Sequence, residues 1–175
     1  LPECNENQAL VFEPIIPNGK TYFYFPGCGS ERMFPDISMS AIYLMLKSGA
    51  RVIIPPRFLC CGFPMGVNGK EKIHNKVILR DTIIFSQIRD MFKHLNFDAV
   101  AVTCGTCKEA LTHMGIAEIF ETEIKDVMAL LEYNFKSEEQ YLYHKPCHDS
   151  LEDNGMKIIK KNIGENVKYV PHCCS

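Results

Sequence analysis

The feature that most constrains this chain is a recurring succession: a short apolar run, then a proline, glycine or threonine stop, then cysteine, then a helix-length segment. Thr21-Tyr-Phe-Tyr-Phe25 stops at Pro26-Gly27 and leads to Cys28. Arg51-Val-Ile-Ile54 stops at Pro55-Pro56, shortly before Cys60-Cys61-Gly62, and Asp98-Ala-Val-Ala-Val-Thr103 runs directly into Cys104-Gly105-Thr106-Cys107. Uninterrupted apolar runs that alternate with helical segments belong to a parallel sheet covered by helices, so an α/β fold with a helix-flanked parallel sheet is expected. Loops that follow parallel strands gather along the carboxyl edge of the sheet, which is where ligands bind. Cys28, Cys60, Cys61, Cys104 and Cys107 are therefore expected to converge although the sequence spreads them over 80 positions.

Helical spacing of Ile37, Ala41, Leu44 and Met45 predicts a helix from Asp36 to about Ser48, ended by Gly49. Ile73, Val77, Ile84, Ile88, Phe92 and Leu95 predict a long helix over 71–95, and further helices are expected over 107–114, 125–133 and 151–161. A short strand is expected near Ala117 to Phe120. The polar stretch Phe135-Lys-Ser-Glu-Glu-Gln140 reads as a linker. After it the grammar restarts, with strand Tyr141-Leu-Tyr-His144, then Pro146-Cys147, a helix, Gly164, strand Val167 to Val170, Pro171 and Cys173-Cys174.

That restart reads as an internal repeat. The expected organisation is a lead-in over 1–20, a first cysteine-rich unit over 21–134 and a second over 141–175, cut short at its double cysteine. One and a half copies of a βαβ-type unit implies a native chain that continues past Ser175.

Nine cysteines among 175 residues exceed ordinary usage but fall short of a disulfide-stapled scaffold. Nothing at the N-terminus resembles a secretory signal, no apolar run approaches a membrane span, and a net charge of −2 provides no footprint for nucleic acid or anionic lipid. A reducing, cytoplasmic setting follows, in which clustered cysteines are metal ligands or redox thiols before they are disulfides.

Five converging thiols are one more than a closed tetrahedral zinc site takes. A polynuclear iron–sulfur centre accommodates the fifth, because more than one metal offers an open valence. Glycines at 27, 29, 62 and 105 let backbone N–H groups approach the sulfurs. Two other readings remain open on residues alone: a structural zinc site using four of the five, and a thiol–disulfide oxidoreductase working through Cys104 and Cys107. Cys147, Cys173 and Cys174 form a second, incomplete set, flanked by His144, His148 and His172 as supporting groups. Cys4 reads as a bystander, and His74, His94 and His113 as solvated helix residues.

Pro26-Gly27-Cys28, 31 intervening residues, Cys60-Cys61-Gly62-Phe63-Pro64 and then Cys104-Gly105-Thr106-Cys107 resemble the cysteine-rich CCG domain found in heterodisulfide reductases and in glycolate oxidase iron–sulfur subunits. Finer wording around Phe25-Pro26-Gly27-Cys28-Gly29-Ser30-Glu31-Arg32 is similar to the C-terminal part of fused FAD-linked oxidase/iron–sulfur proteins of the D-lactate dehydrogenase type. The resemblance implies an electron-transfer module of a flavin-linked oxidoreductase, with FAD on a separate domain or subunit and a quinone as candidate downstream carrier. It implies a [4Fe–4S] cluster on Cys28, Cys60, Cys61, Cys104 and Cys107, and a location in the cytoplasm or on the inner membrane face through partners. The 42 residues between Cys61 and Cys104 exceed the heterodisulfide reductase spacing, and Ser175 stands where the second motif would carry its glycine.

Overall fold

A computed structural model describes residues 8–57, 59–131, 135 and 137–170. Cys4, His172, Cys173 and Cys174 lie outside the described residues. The first unit is built on a five-stranded sheet in the order β1-β3-β2-β4-β5, from β1 (Leu10–Phe12), β2 (Thr21–Phe25), β3 (Arg51–Ile54), β4 (Ala99–Val102) and β5 (Ile124–Asp126). All neighbours are parallel except β1, which runs antiparallel to β3 with Val11 opposite Ile53. The lead-in thus contributes an edge strand that three apolar residues gave no reason to expect.

Both faces of the sheet are buried because both carry apolar side chains at alternate positions. Phe23, Phe25, Ile53, Val100 and Val102 face one layer of helices. That layer is α3 (Glu71–Met91), α4 (Gly105–His113) and α5 (Ile116–Phe120), which contribute Phe85, Ile88, Leu111, Ile116 and Phe120. Tyr22, Tyr24, Val52, Ala99 and Ala101 face α1 (Pro35–Lys47) and α6 (Val127–Leu130) through Ala41, Ile42, Met45 and Val127. On the other face the rings interlock: Phe23 stacks on Phe120 at 4.4 Å and meets Phe85 edge-on at 5.8 Å. Truncating a buried ring such as Phe85 to alanine is expected to cost about 3–5 kcal/mol.

Three expectations are corrected. Residues 117–120 are helical, because Gly115 ends α4 in a left-handed turn (φ 71°) and Ile116 and Phe120, four apart, both reach the core as one helical turn. The strand follows at Ile124–Asp126, and the helix expected over 125–133 is reduced to Val127–Leu130. The long helix ends at Met91 rather than 95, and only part of the expected stripe turns inward: Ile88 is buried and Ile84, Phe92 and Leu95 pack against the core, but Ile73 is half exposed, and Asp81 and Phe85 join the buried residues.

The second unit has the element order of the first, β6 (Tyr141–His144), α7 (Gly155–Ile163) and β7 (Val167–Val170), with β6 parallel to β7 in a separate two-stranded sheet. Its helix starts at Gly155 rather than 151, because Glu152 and Asp153 both take left-handed backbone. It abuts the first unit beside the cysteine loops. Ser150 donates to the buried Asp126 carboxylate at 2.5 Å, Lys108 donates to the Ser150 carbonyl at 3.1 Å, and Asn162 donates to the Met128 carbonyl at 3.1 Å.

Candidate metal centre

All five cysteines of the first unit follow the carboxyl ends of β2, β3 and β4. After β2 the chain turns at Gly27, whose φ of +72° is open to glycine without strain. A Cβ at Gly27 would also stand 2.7 Å from the Cys107 sulfur, so no larger residue fits against the sulfurs here. Cys28 then stands exposed at the rim, ahead of a π-helical turn (Gly29–Met33).

After β3 the double cysteine enters a tight turn made possible by Gly62 at φ +76°. Neighbouring side chains in extended backbone point apart. The turn brings both sulfurs together instead, and the Cys60 and Cys61 thiols hydrogen-bond each other. The Gly62 N–H points to the Cys60 sulfur and the Phe63 N–H to the Cys61 sulfur. After β4, Cys104 is the extended N-cap residue of α4 (φ −141°, ψ 123°), and the N–H groups of Thr106 and Cys107 point to its sulfur.

The loops meet at sulfur. Cys107 Sγ lies 3.6 Å from Cys61 Sγ and also contacts Cys104, which gives one chain of contacts in the order Cys60, Cys61, Cys107, Cys104. Cys28 acts on Cys60 through charge rather than contact. Among the described residues, no three histidine, cysteine, aspartate or glutamate side chains are arranged as a ready site for a single ion.

Hydrogen bonding divides the thiols. The Cys107 thiol, then the Cys60 thiol, pull Cys61 down to about 3, and Cys107 and the helix N–H groups pull Cys104 down to about 6. Donation to those neighbours, together with burial, pushes Cys107 and Cys60 up. Cys107 has a single proton and cannot serve Cys104 and Cys61 at once. Cys61, with a second thiol donor, is the sulfur that holds negative charge most firmly.

A hydroxyl network braces two of the loops. Tyr24 Oη lies 3.1 Å from Thr103 Oγ1, beside Cys104, and Ser30 Oγ reaches Thr103 at 3.3 Å from the Cys28 loop. Ser38 of α1 donates to the Ser30 carbonyl at 2.8 Å. Beyond the Pro26–Gly27 wall lies a cavity of about 410 Å³, between the ends of β2 and β3 and α1, lined chiefly by apolar groups such as Leu10, Ile42, Ile54 and Leu59.

Two residues of α3 join this site although sequence reasoning does not select them. His74, expected to be solvated, donates its Nδ1–H to the Gly62 carbonyl at 2.9 Å, and its ring packs on Gly62 and Gly66. Asp81, fully buried, accepts the Cys60 N–H at 2.8 Å. The signal that could have found them is a charged residue within the stripe His74, Ile78, Asp81, Phe85, Ile88, whose spacing of four, three, four and three marks an inward face. His94 and His113 are exposed, as expected.

Of the supporting histidines, His144 is exposed at the end of β6. His148 turns toward the first unit: its Nδ1 pairs with Glu109 of α4 at 2.5 Å, and its ring meets Phe63 edge-on at 5.3 Å. A Cβ on Gly105 would run into the His148 carbonyl oxygen, so the second unit is seated directly against the Cys104–Cys107 turn. Cys147 lies in the loop after β6, the place Cys28 occupies after β2.

Residues 22–112 match the family model of the cysteine-rich domain CCG, which is more than half of the chain. The chain belongs to this cysteine-rich domain family. It is 29% identical to an uncharacterised iron–sulfur protein of Methanococcus maripaludis over 78% of this chain and 27% of that protein. It is also 29% identical to a probable glycolate oxidase iron–sulfur subunit of Bacillus subtilis over 99% of this chain and 45% of that subunit. Lactate utilization protein A 2 of Bacillus cereus is 23% identical over 85% of this chain and 67% of its own length. The chain spans about a quarter to a half of the first two relatives. Among the described residues no helix is long and apolar enough to cross a membrane.

Proposed function

We propose that this chain is an iron–sulfur electron-transfer module of a flavin-linked oxidoreductase acting on 2-hydroxy acids, with Cys28, Cys60, Cys61, Cys104 and Cys107 as ligands of a [4Fe–4S] cluster. The observation that carries the reading is the single line of sulfur contacts joining the loops after β3 and β4 at the carboxyl edge of the sheet, with Cys28 of the loop after β2 near enough to act on Cys60 through charge. The donor set fits such a group. Soft thiolates select iron–sulfur centres and zinc, and glycine at 27, where a Cβ would stand 2.7 Å from the Cys107 sulfur, lets the loop after β2 lie directly against the sulfurs.

The cluster would supply one-electron chemistry. Its protein surroundings do the rest: N–H groups of Gly62, Phe63, Thr106 and Cys107 offset thiolate charge, and the Tyr24–Thr103–Ser30 network fixes the loop spacing. The names of the relatives, a glycolate oxidase subunit and lactate utilization proteins, support the 2-hydroxy acid class and an oxidase partner, on which the proposal places the FAD. The apolar cavity behind Gly27 is large enough for a small carrier such as a quinone ring, since ligand sites of this type start near ~300 Å³. The setting is a reducing cytoplasm, with any membrane contact made through partners. Protein isolated without oxygen is expected to show a reduced-state EPR signal of a [4Fe–4S] cluster. A sample with neither signal nor acid-labile sulfide overturns the reading.

A further inference from the structure

We propose that the adjacent pair Arg80–Asp81 on α3 is a positioning device for the double cysteine, holding the Cys60 turn in place and setting how readily the centre is reduced. The proposal rests on the iron–sulfur reading for its redox half, but its positioning half concerns the chain alone.

Asp81 is fully buried in a stripe that is otherwise apolar or histidine. A buried carboxylate is costly unless each oxygen is partnered. Its two oxygens are divided between two tasks. Oδ1 pairs with Nε of Arg80 at 2.5 Å, and that guanidinium is half exposed; Oδ2 accepts the backbone N–H of Cys60 at 2.8 Å. The first bond stays within α3 and sets a positive charge against the carboxylate. The second reaches 21 positions back to the leading residue of Cys60-Cys61-Gly62. His74, seven residues earlier on the same face, donates to the Gly62 carbonyl at 2.9 Å. Two side chains of α3 thus grip the turn from both ends, one taking an N–H and the other giving one. Cys60 and Arg80 also lie close enough for their charges to act on each other. The pair places one fixed negative and one fixed positive charge beside the same ligand. Charge near a cluster is among the main controls on its potential.

Three variants test this in the anaerobically isolated chain. Asp81→Asn keeps an oxygen that can accept the Cys60 N–H but removes the charge, so iron content is expected to hold while the reduction midpoint moves positive. Arg80→Gln removes the opposite charge, and the midpoint is expected to move negative. Asp81→Ala removes the acceptor, and most of the iron is expected to be lost. Midpoints that do not move, or that move in the same direction in the two charge variants, overturn the electrostatic role. Hydrogen exchange of the Cys60 amide in metal-free protein reads positioning without any cluster. Protection in the parent and Asp81→Asn chains that is lost in Asp81→Ala is expected, and equal exchange in all three overturns it. A parent chain that holds no iron but shows this exchange pattern separates failure of the iron–sulfur reading from failure of the positioning role.

Discussion

The two β–α–β units share an element order yet bury their strands differently. All five residues of β2 are buried, whereas β6 alternates between half-buried and exposed positions and leaves Leu142 69% exposed. The difference follows from what covers each sheet. β2 lies between two helix layers and between β3 and β4, and its aromatic run Tyr-Phe-Tyr-Phe is apolar on both faces. β6 pairs with β7, and α7 packs on β7. The first unit also has α3, which carries Asp81 and His74 to the double cysteine. The double cysteine of the first unit is thus held by a helix as well as by its own turn, and the second unit meets the first as a wall against Gly105 and Glu109.

The largest expected effect separates the units directly. Cys61→Ser removes the sulfur at the middle of the contact line and is expected to abolish bound iron, while Cys147→Ser in the second unit leaves the iron of the first unit unchanged; iron per chain measures both. Gly105→Ala tests the wall. Its methyl meets the His148 carbonyl oxygen, and overpacking of this kind costs about 1–3 kcal/mol. A chain of this size then loses about 2–4 °C in Tm per kcal/mol. Gly29→Ala, with open space at its Cβ and no left-handed backbone, is expected to keep stability within about 0.5 kcal/mol of the parent. Thermal unfolding of the two glycine variants side by side checks both.

A smaller effect concerns pH. In metal-free protein Cys104 is partly accessible, and the Cys107 thiol and the helix N–H groups draw its thiol down toward about 6; because the Cys107 proton is shared with Cys61, the alkylation rate is expected to rise at a pH between about 6 and the ordinary thiol value of about 8.5. Cys61 is charged over the same range but only 3% exposed, and Cys107 is held protonated; both are expected to react slowly. Mass spectrometry of labelled peptides across pH distinguishes them.

Sequence is most legible where a strand is apolar on both faces and ends at proline, glycine or cysteine, as at 21–25, 51–54 and 99–102. Those strands alone place five cysteines on one edge. Legibility fails where tertiary contact decides. Ala117 to Phe120 is too short an apolar run to separate strand from helix, and the ring of Phe120 stacked on Phe23 settles it. α3 has two candidate inward stripes. Ile73 and Val77 make one stripe the more apolar in sequence, yet the stripe through Ile78, Asp81, Phe85 and Ile88 is the buried one because Phe85 meets Phe23 and Phe25, with Ile84 packing at its side. Choosing the wrong stripe hides Asp81 and His74. β1 exists because its backbone pairs with β3, which a three-residue run cannot announce.

The most direct test of a cluster held by five sulfurs is metal analysis of the chain isolated without oxygen, beside Cys28→Ser. Iron with an equal amount of acid-labile sulfide is predicted in the parent chain, and loss of iron when the rim ligand is removed. Stoichiometric zinc without sulfide, retained in full by Cys28→Ser, would contradict the cluster and assign the four touching sulfurs to a single structural ion.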